Sequence, residues 1–262
     1  MDRRDFVKMF LMSTGLAATW KLPSANAKTA KEVLDSKFGP AIRICDKCLE
    51  ILEKVEDFES LLHTRELHGN KLKEMVARVK FRRNPRSVYM IFGKPHEGRE
   101  VIYVEGANNN ELIVHEVGLK SIVGSIRLDP HGKRAMEESH YPITQFGLDL
   151  MIQGYREQWE QEALMPGVEI KFFPNAAIGD TECKVIETNH STRSDDIKFV
   201  QTRLYLDAKT HLPVRSQRYV FPRKKKDDTP VLYEEYTYLE MKTNVGLKDI
   251  DFDPNNPNYH FQ

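Results

Sequence analysis

The stretch SVYMIFGKPHEGREVIYVEG, residues 87–106, decides the fold class of this chain. Residues 87–92 and 100–105 are short runs rich in β-branched and aromatic residues, and a turn containing Gly93 and Pro95 separates them. Such runs are typical of β-strands. The connection is too short for parallel strands, which need a crossover of about a dozen residues or more. The stretch therefore predicts one step of an antiparallel meander.

The same pattern continues on both sides of this stretch. Turns rich in glycine, asparagine and proline separate the runs, and the pattern predicts about eleven strands. The predicted strands are residues 58–67, 73–82, 87–92, 100–105, 111–117, 121–128, 168–173, 182–188, 198–207, 214–221 and 231–242. Because an antiparallel sheet of that size curls rather than lying flat, we expect a strongly curved sheet that forms an unclosed β-barrel.

Two segments change to a helical period. After Gly39 and Pro40, apolar residues recur at intervals of three and four, as in an amphipathic helix with one buried face. These residues are Ala41, Ile44, Cys45, Cys48, Ile51, Leu52 and Val55. A second helix is predicted over residues 144–165, with Phe146, Leu150, Met151, Tyr155 and Trp159 as its large apolar residues. We therefore predict an α+β fold in which the helices cover the concave face of the sheet.

The beginning of the chain has the pattern of an export signal. Arg3 and Arg4 precede a short apolar stretch that ends at a small-x-small cleavage site, Ala25-Asn26-Ala27. This stretch is shorter than the roughly 20 residues of a transmembrane helix. The arginine pair resembles a twin-arginine signal; a general secretory signal is the alternative. We predict that residues 1–27 contact the export machinery transiently and are cut between Ala27 and Lys28.

The rest of the chain is predicted to form one globular unit. Residues 28–57 would supply an N-terminal segment and the first helix, packed against a curved-sheet domain over residues 58–262. Because no cysteine follows the predicted cut directly, we expect a soluble periplasmic protein without a lipid anchor.

The composition of the chain excludes several classes of protein. Of 262 residues, 39 are Lys or Arg and 39 are Asp or Glu, so the formal net charge is zero. A dedicated nucleic-acid binder is therefore not expected. Apolar residues make up 40% of the chain, charged residues 30%, and the mean hydropathy is −0.54. These values exclude a polytopic membrane protein and an intrinsically disordered chain.

Cys45 and Cys48 form the sharpest chemical spacing in the sequence. Three interpretations are open: a redox pair, a disulfide, or two buried thiols. A redox pair normally follows a strand directly at a helix N-terminus, whereas here both cysteines fall on the predicted apolar stripe. A zinc site would need two ligands in addition to these cysteines. Cys183 is one candidate, but no C-x-x-C or H-x-x-x-H motif lies near it. Metalloprotease, nucleophile-elbow, phosphate-loop and dinucleotide motifs are absent. The sequence thus predicts no catalytic residue, metal or cofactor.

Three phrases carry a resemblance to a known family. They are REVIYVEG at residues 99–106, YPITQFGL at 141–148 and NVGLKDIDFDPNNPNYHF at 244–261. Together they resemble a family of exported bacterial proteins described only as a domain of unknown function, over residues 58–261. The resemblance implies no catalytic residue.

A more distant resemblance is architectural. The order of strands and helices is similar to that of the LolA/LolB-like periplasmic lipoprotein carriers, whose half-open barrel holds acyl chains under a helical lid. Those carriers hold the lid with an arginine inside the barrel. Arg65, Arg78, Arg82 and Arg99 are strand residues here, but no motif shows which would correspond, so no such arginine is assigned.

These observations predict a non-catalytic protein that binds a lipid or a lipoprotein acyl chain in a groove of the half-barrel. The lid residues Phe146, Leu150, Met151, Tyr155 and Trp159 would line that groove. The alternative is a protein-interaction or sensing module of the cell envelope, with an interior filled by its own side chains and envelope proteins as partners. An enzyme with scattered catalytic residues is a third hypothesis, which a pocket of converging polar groups would support.

Overall fold

A computed structural model describes residues 27–118, 124–193, 197–222 and 229–261. Arg3, Arg4 and most of the predicted signal lie outside these residues. The described part contains three α-helices, α1 (Ala27–Asp35), α2 (Gly39–Leu52) and α3 (Leu148–Glu162). None of them is long and apolar enough to cross a membrane.

Eleven strands form one antiparallel sheet. They are β1 (Asp57–His68), β2 (Lys71–Arg82), β3 (Ser87–Phe92), β4 (Glu100–Val104), β5 (Leu112–His115), β6 (Ser125–Leu128), β7 (Val168–Ile178), β8 (Thr181–His190), β9 (Gln201–Asp207), β10 (Pro213–Val220) and β11 (Val231–Thr243). Their order is β6-β5-β4-β3-β2-β1-β11-β10-β9-β8-β7. The edge strands β6 and β7 are not paired with each other, so the barrel is unclosed. The predicted fold class is confirmed.

Some predicted boundaries were wrong. Strand β7 continues to Ile178, five residues beyond its predicted end at 173. Helix α3 begins at Leu148 rather than at 144, because a 3₁₀ turn and the non-helical Gly147 precede it. Helix α1 was not predicted. The predicted start of β6 falls among residues 119–123, outside the described part.

One face of the sheet carries the main core, and we call it the inner face. Phe58 of β1 stacks on Phe81 of β2, with ring centres 4.9 Å apart. The apolar stripe of α2 packs onto the same core, with Cys45 fully buried, and so does Trp159 of α3. The alternation of the strands and the helical stripe therefore meet in one core, as amphipathic elements require.

The C-terminal tail covers part of the opposite, outer face. Tyr259 stacks on Tyr89 of β3 with ring centres 4.1 Å apart. The buried carboxylate of Glu100 accepts hydrogen bonds from the Tyr89 hydroxyl at 3.0 Å and from the main-chain N–H of His260 at 2.7 Å. Two of the three segments that carry the family resemblance, residues 99–106 and 244–261, therefore contact each other on this face.

Candidate functional site

Helix α3 lies on the inner face and fills it with its own side chains. Tyr155 and Trp159 are completely buried. Phe146 and Met151 are half-buried and pack against the main core. Leu150 is also half-buried. The structure thus places four of the five predicted lid residues in α3 and the fifth, Phe146, just before it. The space beneath this helix is occupied by protein side chains.

The start of α3 is held by two arginines. Asp149 accepts a hydrogen bond from Arg86 at 2.8 Å and one from Arg83 at 3.4 Å. Arg86 also donates to the main-chain oxygen of Phe146 at 2.6 Å. Gly147 lies in the middle of these contacts: a Cβ there would stand 2.4 Å from the Arg86 guanidinium and from the Asp149 carboxylate. Only glycine leaves room for the contacts of Asp149 with Arg83 and Arg86, which we call the Asp149 clamp.

Cys45 and Cys48 are free thiols buried in α2. Burial raises the pKa of Cys48 to about 12 and also raises that of Cys45. Because the thiolate is the reactive form, both groups are poor nucleophiles at neutral pH. Their surroundings favour packing over redox chemistry.

Beyond the apolar part of the inner face lies a set of polar side chains that we call the polar cluster. Strand pairing assembles it: Glu66 of β1 lies opposite Glu234 of β11, and Glu234 lies opposite Arg218 of β10. The segment before α3 contributes two further residues. The polar cluster consists of Glu66, His68, His140, Tyr141, Arg218, Glu234 and Tyr236.

Glu234 is the centre of this cluster and is completely buried. Its carboxylate accepts hydrogen bonds from Arg218 at 2.8 Å, from the Tyr141 hydroxyl at 2.8 Å and from His140 Nδ1 at 3.0 Å. Burial alone raises the pKa of Glu234, but the hydrogen bond from His140 and the charge of Arg218 outweigh it, and the pKa falls to about 2. Glu234 is therefore a permanent anion at neutral pH.

His140 joins the segment before α3 to strand β1. Its main-chain N–H donates to Glu66 Oε2 at 2.7 Å, and its Nε2 lies 3.3 Å from the main-chain oxygen of Leu67. Both ring nitrogens therefore face acceptors, since Nδ1 faces Glu234. Burial lowers the pKa of His140, but the hydrogen bond to Glu234 and the nearby carboxylates outweigh it and raise the pKa. His68 Nε2 lies 3.2 Å from Glu66 Oε2 on the other side.

Sequence reasoning missed this cluster. Glu66 and His68 are two apart on β1, which places them on one face, but the predicted strand ended at residue 67. His140 and Glu234 are far away in sequence and occur in no known motif. Arg218 of β10 lies under α3 and is not one of the four strand arginines named from the sequence. Its guanidinium carbon lies 4.8 Å from the ring centre of Tyr155.

Two surface clefts complete the candidate sites. One, of about 300 Å³, is lined by Asn109, Asn110, Glu111, Asp129, Pro130, His131 and Thr144. The other, of about 140 Å³, lies along β1, β2, β10 and β11 and includes His63, Arg65 and Arg215. Most of the residues that line each cleft have polar or charged side chains.

Comparison with known proteins gives a family and several structural similarities. A family model described as a protein of unknown function, DUF1571, matches residues 55–261. No curated protein sequence gives a significant match. Lipoprotein LppX from Mycobacterium tuberculosis is 14% identical, with 82% of this chain and 99% of that chain covered and a TM-score of 0.46.

Two further structures have lower TM-scores. A DUF1329 family protein from Desulfovibrio piger is 11% identical, with 83% of this chain and 98% of that chain covered and a TM-score of 0.40. A LolA superfamily protein from Nitrosomonas europaea is 14% identical, with 80% and 96% covered and a TM-score of 0.23. The match to the family model is the finding that assigns the chain to a protein family. Because it spans residues 55–261, the chain belongs to DUF1571, a family of proteins of unknown function.

Proposed function

We propose that this protein is a non-catalytic, exported protein of the periplasm that binds a lipid or a lipoprotein acyl chain on the inner face of its sheet. The observation that carries the proposal is the division of this face into two parts. Phe58, Leu62 and Tyr238 form an apolar floor, and the polar cluster adjoins it along β1 and β11. An apolar surface with a charged end is complementary to an amphiphile.

The charged end offers two cations for an anionic head group. Arg218 lies beneath α3, and the ammonium group of Lys198 lies 4.8 Å from the ring centre of Phe199. Burial lowers the pKa of Lys198. A head group that approached these cations would place its chain along the apolar floor, where α3 now packs.

Binding would therefore require α3 to move. Each buried methylene of a chain contributes about 0.8 kcal/mol, so a chain of some ten methylenes would contribute about 8 kcal/mol toward displacing α3, which packs on the sheet and pairs with α2 through Arg156 and Asp46. Gly154 lowers the helix propensity of α3 by about 1 kcal/mol relative to alanine. The Asp149 clamp opposes the movement.

A displacement assay with fluorescent fatty acid tests this function. Affinity should rise roughly fourfold for each added methylene between chains of about eight and sixteen carbons. Asp149→Asn should bind more tightly than wild type because it weakens the clamp on α3. Asp249→Asn is the matched control, since Asp249 pairs with Arg82 in an exposed contact. No binding, or an affinity independent of chain length, would contradict the proposal.

A second candidate is an interaction or sensing module of the cell envelope. The complete burial of Tyr155 and Trp159 favours it, because the interior is already filled. Native mass spectrometry of protein purified from the periplasm distinguishes the two candidates. Co-purified lipid supports the carrier, whereas lipid-free protein in a stoichiometric complex with another envelope protein supports the module.

A further inference from the structure

We propose that Glu66, His68 and His140 form a binding site for a divalent transition metal ion, with Zn²⁺ the best fit. This inference goes beyond the proposed function and does not depend on it. The three donor atoms, one from each side chain, all lie within 4.8 Å of one another. Two of these atoms come from strand β1 and the third from the segment before α3. An ion bound here would therefore link that segment to the sheet.

The donor set matches the chemistry of zinc. Zinc binds imidazole nitrogens at about 2.0–2.1 Å and carboxylate oxygens at about 2.0–2.2 Å. Two ligand atoms of a tetrahedral zinc ion therefore lie about 3.4 Å apart. His68 Nε2 lies 3.2 Å and His140 Nδ1 lies 3.9 Å from Glu66 Oε2. The first distance is close to this value, whereas His140 Nδ1 and the two imidazole nitrogens, which lie within 4.8 Å of each other, would have to move closer when the ion binds.

Glu234 is a candidate fourth ligand that lies close to one of the three donors, His140, and outside the group whose atoms all lie within 4.8 Å. Glu234 Oε2 lies 3.0 Å from His140 Nδ1. Two imidazoles and two carboxylates would complete a tetrahedral site, which is the geometry that zinc prefers. Because the other oxygen of Glu234 already bonds to Arg218 and Tyr141, Glu234 could bind through Oε2 without losing these contacts.

The groups around the three residues orient them as a metal site requires. A histidine ligand usually donates its second ring N–H to a carbonyl or a carboxylate. His140 does this through Nε2, which faces the main-chain oxygen of Leu67 at 3.3 Å. Glu66 Oε1 accepts a hydrogen bond from the Tyr236 hydroxyl. His140 Nδ1 now faces Glu234 Oε2, and Glu66 Oε2 faces His68 Nε2, so a bound ion would replace these two contacts.

Glu66 is the carboxylate that an ion would neutralise, because its ion pairs among the described residues are with histidines only. Glu66 and Glu234 are 2% and 0% exposed. Arg218 bonds to Glu234 directly, and Lys198 is a further positive charge close to Glu234. Among the described residues, the hydrogen-bond donors to Glu66 are His68, the N–H of His140 and the Tyr236 hydroxyl. A buried carboxylate without a full countercharge is costly, and a divalent ion between Glu66 and the two imidazoles would supply that charge.

Titration of the full mature chain with ZnCl₂ after EDTA dialysis, followed by isothermal calorimetry, tests the site. One ion per chain should bind. The variants His68→Ala, His140→Ala and Glu66→Gln should each weaken binding at least tenfold. His63→Ala is the matched control, because His63 lies on the opposite face of the same strand.

Cobalt provides a second measurement that does not depend on heat. Co²⁺ in a tetrahedral nitrogen and oxygen site gives intense visible absorption, which should appear in wild type and His63→Ala and disappear in His68→Ala. Circular dichroism checks that each variant is folded, and Glu66→Gln keeps the shape of the side chain. Absence of Zn²⁺ binding to wild type, or equal binding by wild type, His68→Ala and His140→Ala, would overturn the proposal.

Discussion

The guanidinium of Arg218 and the ring of Tyr155 are stacked at 4.8 Å, so a strand cation contacts the underside of the helix that covers the sheet. The Tyr155 hydroxyl also lies 2.9 Å from Ser216 Oγ and donates to the main-chain oxygen of Arg203 at 3.0 Å. Helix α3 is therefore attached to β9 and β10 by polar contacts as well as apolar ones. Arg218 connects this attachment to Glu234 and the rest of the polar cluster.

Glu234→Gln should lower the free energy of unfolding by about 3–5 kcal/mol, because it leaves the charge of Arg218 buried without its partner. Urea denaturation at neutral pH measures the change. Glu240→Gln on the same strand is the control, since its pair with Arg78 is exposed, and exposed pairs contribute at most about 1 kcal/mol. The double variant Arg218→Leu with Glu234→Leu should be more stable than Glu234→Gln. Equal stability of Glu234→Gln and Glu240→Gln would contradict the assigned ion pair.

Trp159→Ala should cost about 3–5 kcal/mol of stability, because removing a fully buried indole leaves a cavity. Leu150→Ala on the same helix should cost much less, since Leu150 is only half-buried. Thermal and urea unfolding of the two variants measure the difference. Equal costs for Trp159→Ala and Leu150→Ala would contradict the close packing of Trp159 in the core.

Gly147→Ala and Gly154→Ala should change stability in opposite directions. A Cβ at Gly147 would stand 2.4 Å from both Arg86 and Asp149, whereas one at Gly154 would meet Arg218 at an ordinary 3.7 Å. We expect Gly147→Ala to destabilise by about 1–3 kcal/mol and Gly154→Ala to stabilise by about 1 kcal/mol through helix propensity. Melting temperatures of both variants check the signs.

The contribution of His140 to stability should decrease as pH rises. Because the folded protein raises its pKa, protonated His140 stabilises the fold fully below its unfolded value, and this stabilisation is lost as pH passes the folded value. His140 faces Glu66, Glu234 and His68, and Glu234 stays ionised because its pKa is about 2. In EDTA-treated protein, wild type should exceed His140→Gln in stability more at about pH 5.5 than at about pH 8.5. A difference independent of pH would contradict this.

Export should depend on the arginine pair. Replacement of Arg3 and Arg4 by lysine should leave precursor in the cytoplasm if the twin-arginine route is used. Mass spectrometry of the exported wild-type protein should find Lys28 at its N-terminus. Normal processing of the lysine variant would support the general secretory route instead.

The periodicity of the sequence determines the secondary structure of this protein and the class of its fold. Short alternating runs such as residues 87–92 form strands, because local alternation sets which face each side chain occupies. The apolar stripe through Cys45 and Cys48 likewise predicts a helix with one buried face. Turn residues between the runs then leave an antiparallel meander as the arrangement of the sheet.

Tertiary structure alone assembled the polar cluster and placed Arg218 under α3. Glu66 and His140 are separated by 74 residues, and Glu66 meets Glu234 only because β1 pairs with β11 across the middle of the sheet. A buried charge has no periodic signal of its own, since its cost depends on partners that distant segments supply. Periodicity therefore determined the strands and helices, while the closure of β1 on β11 decided which of their polar side chains would meet.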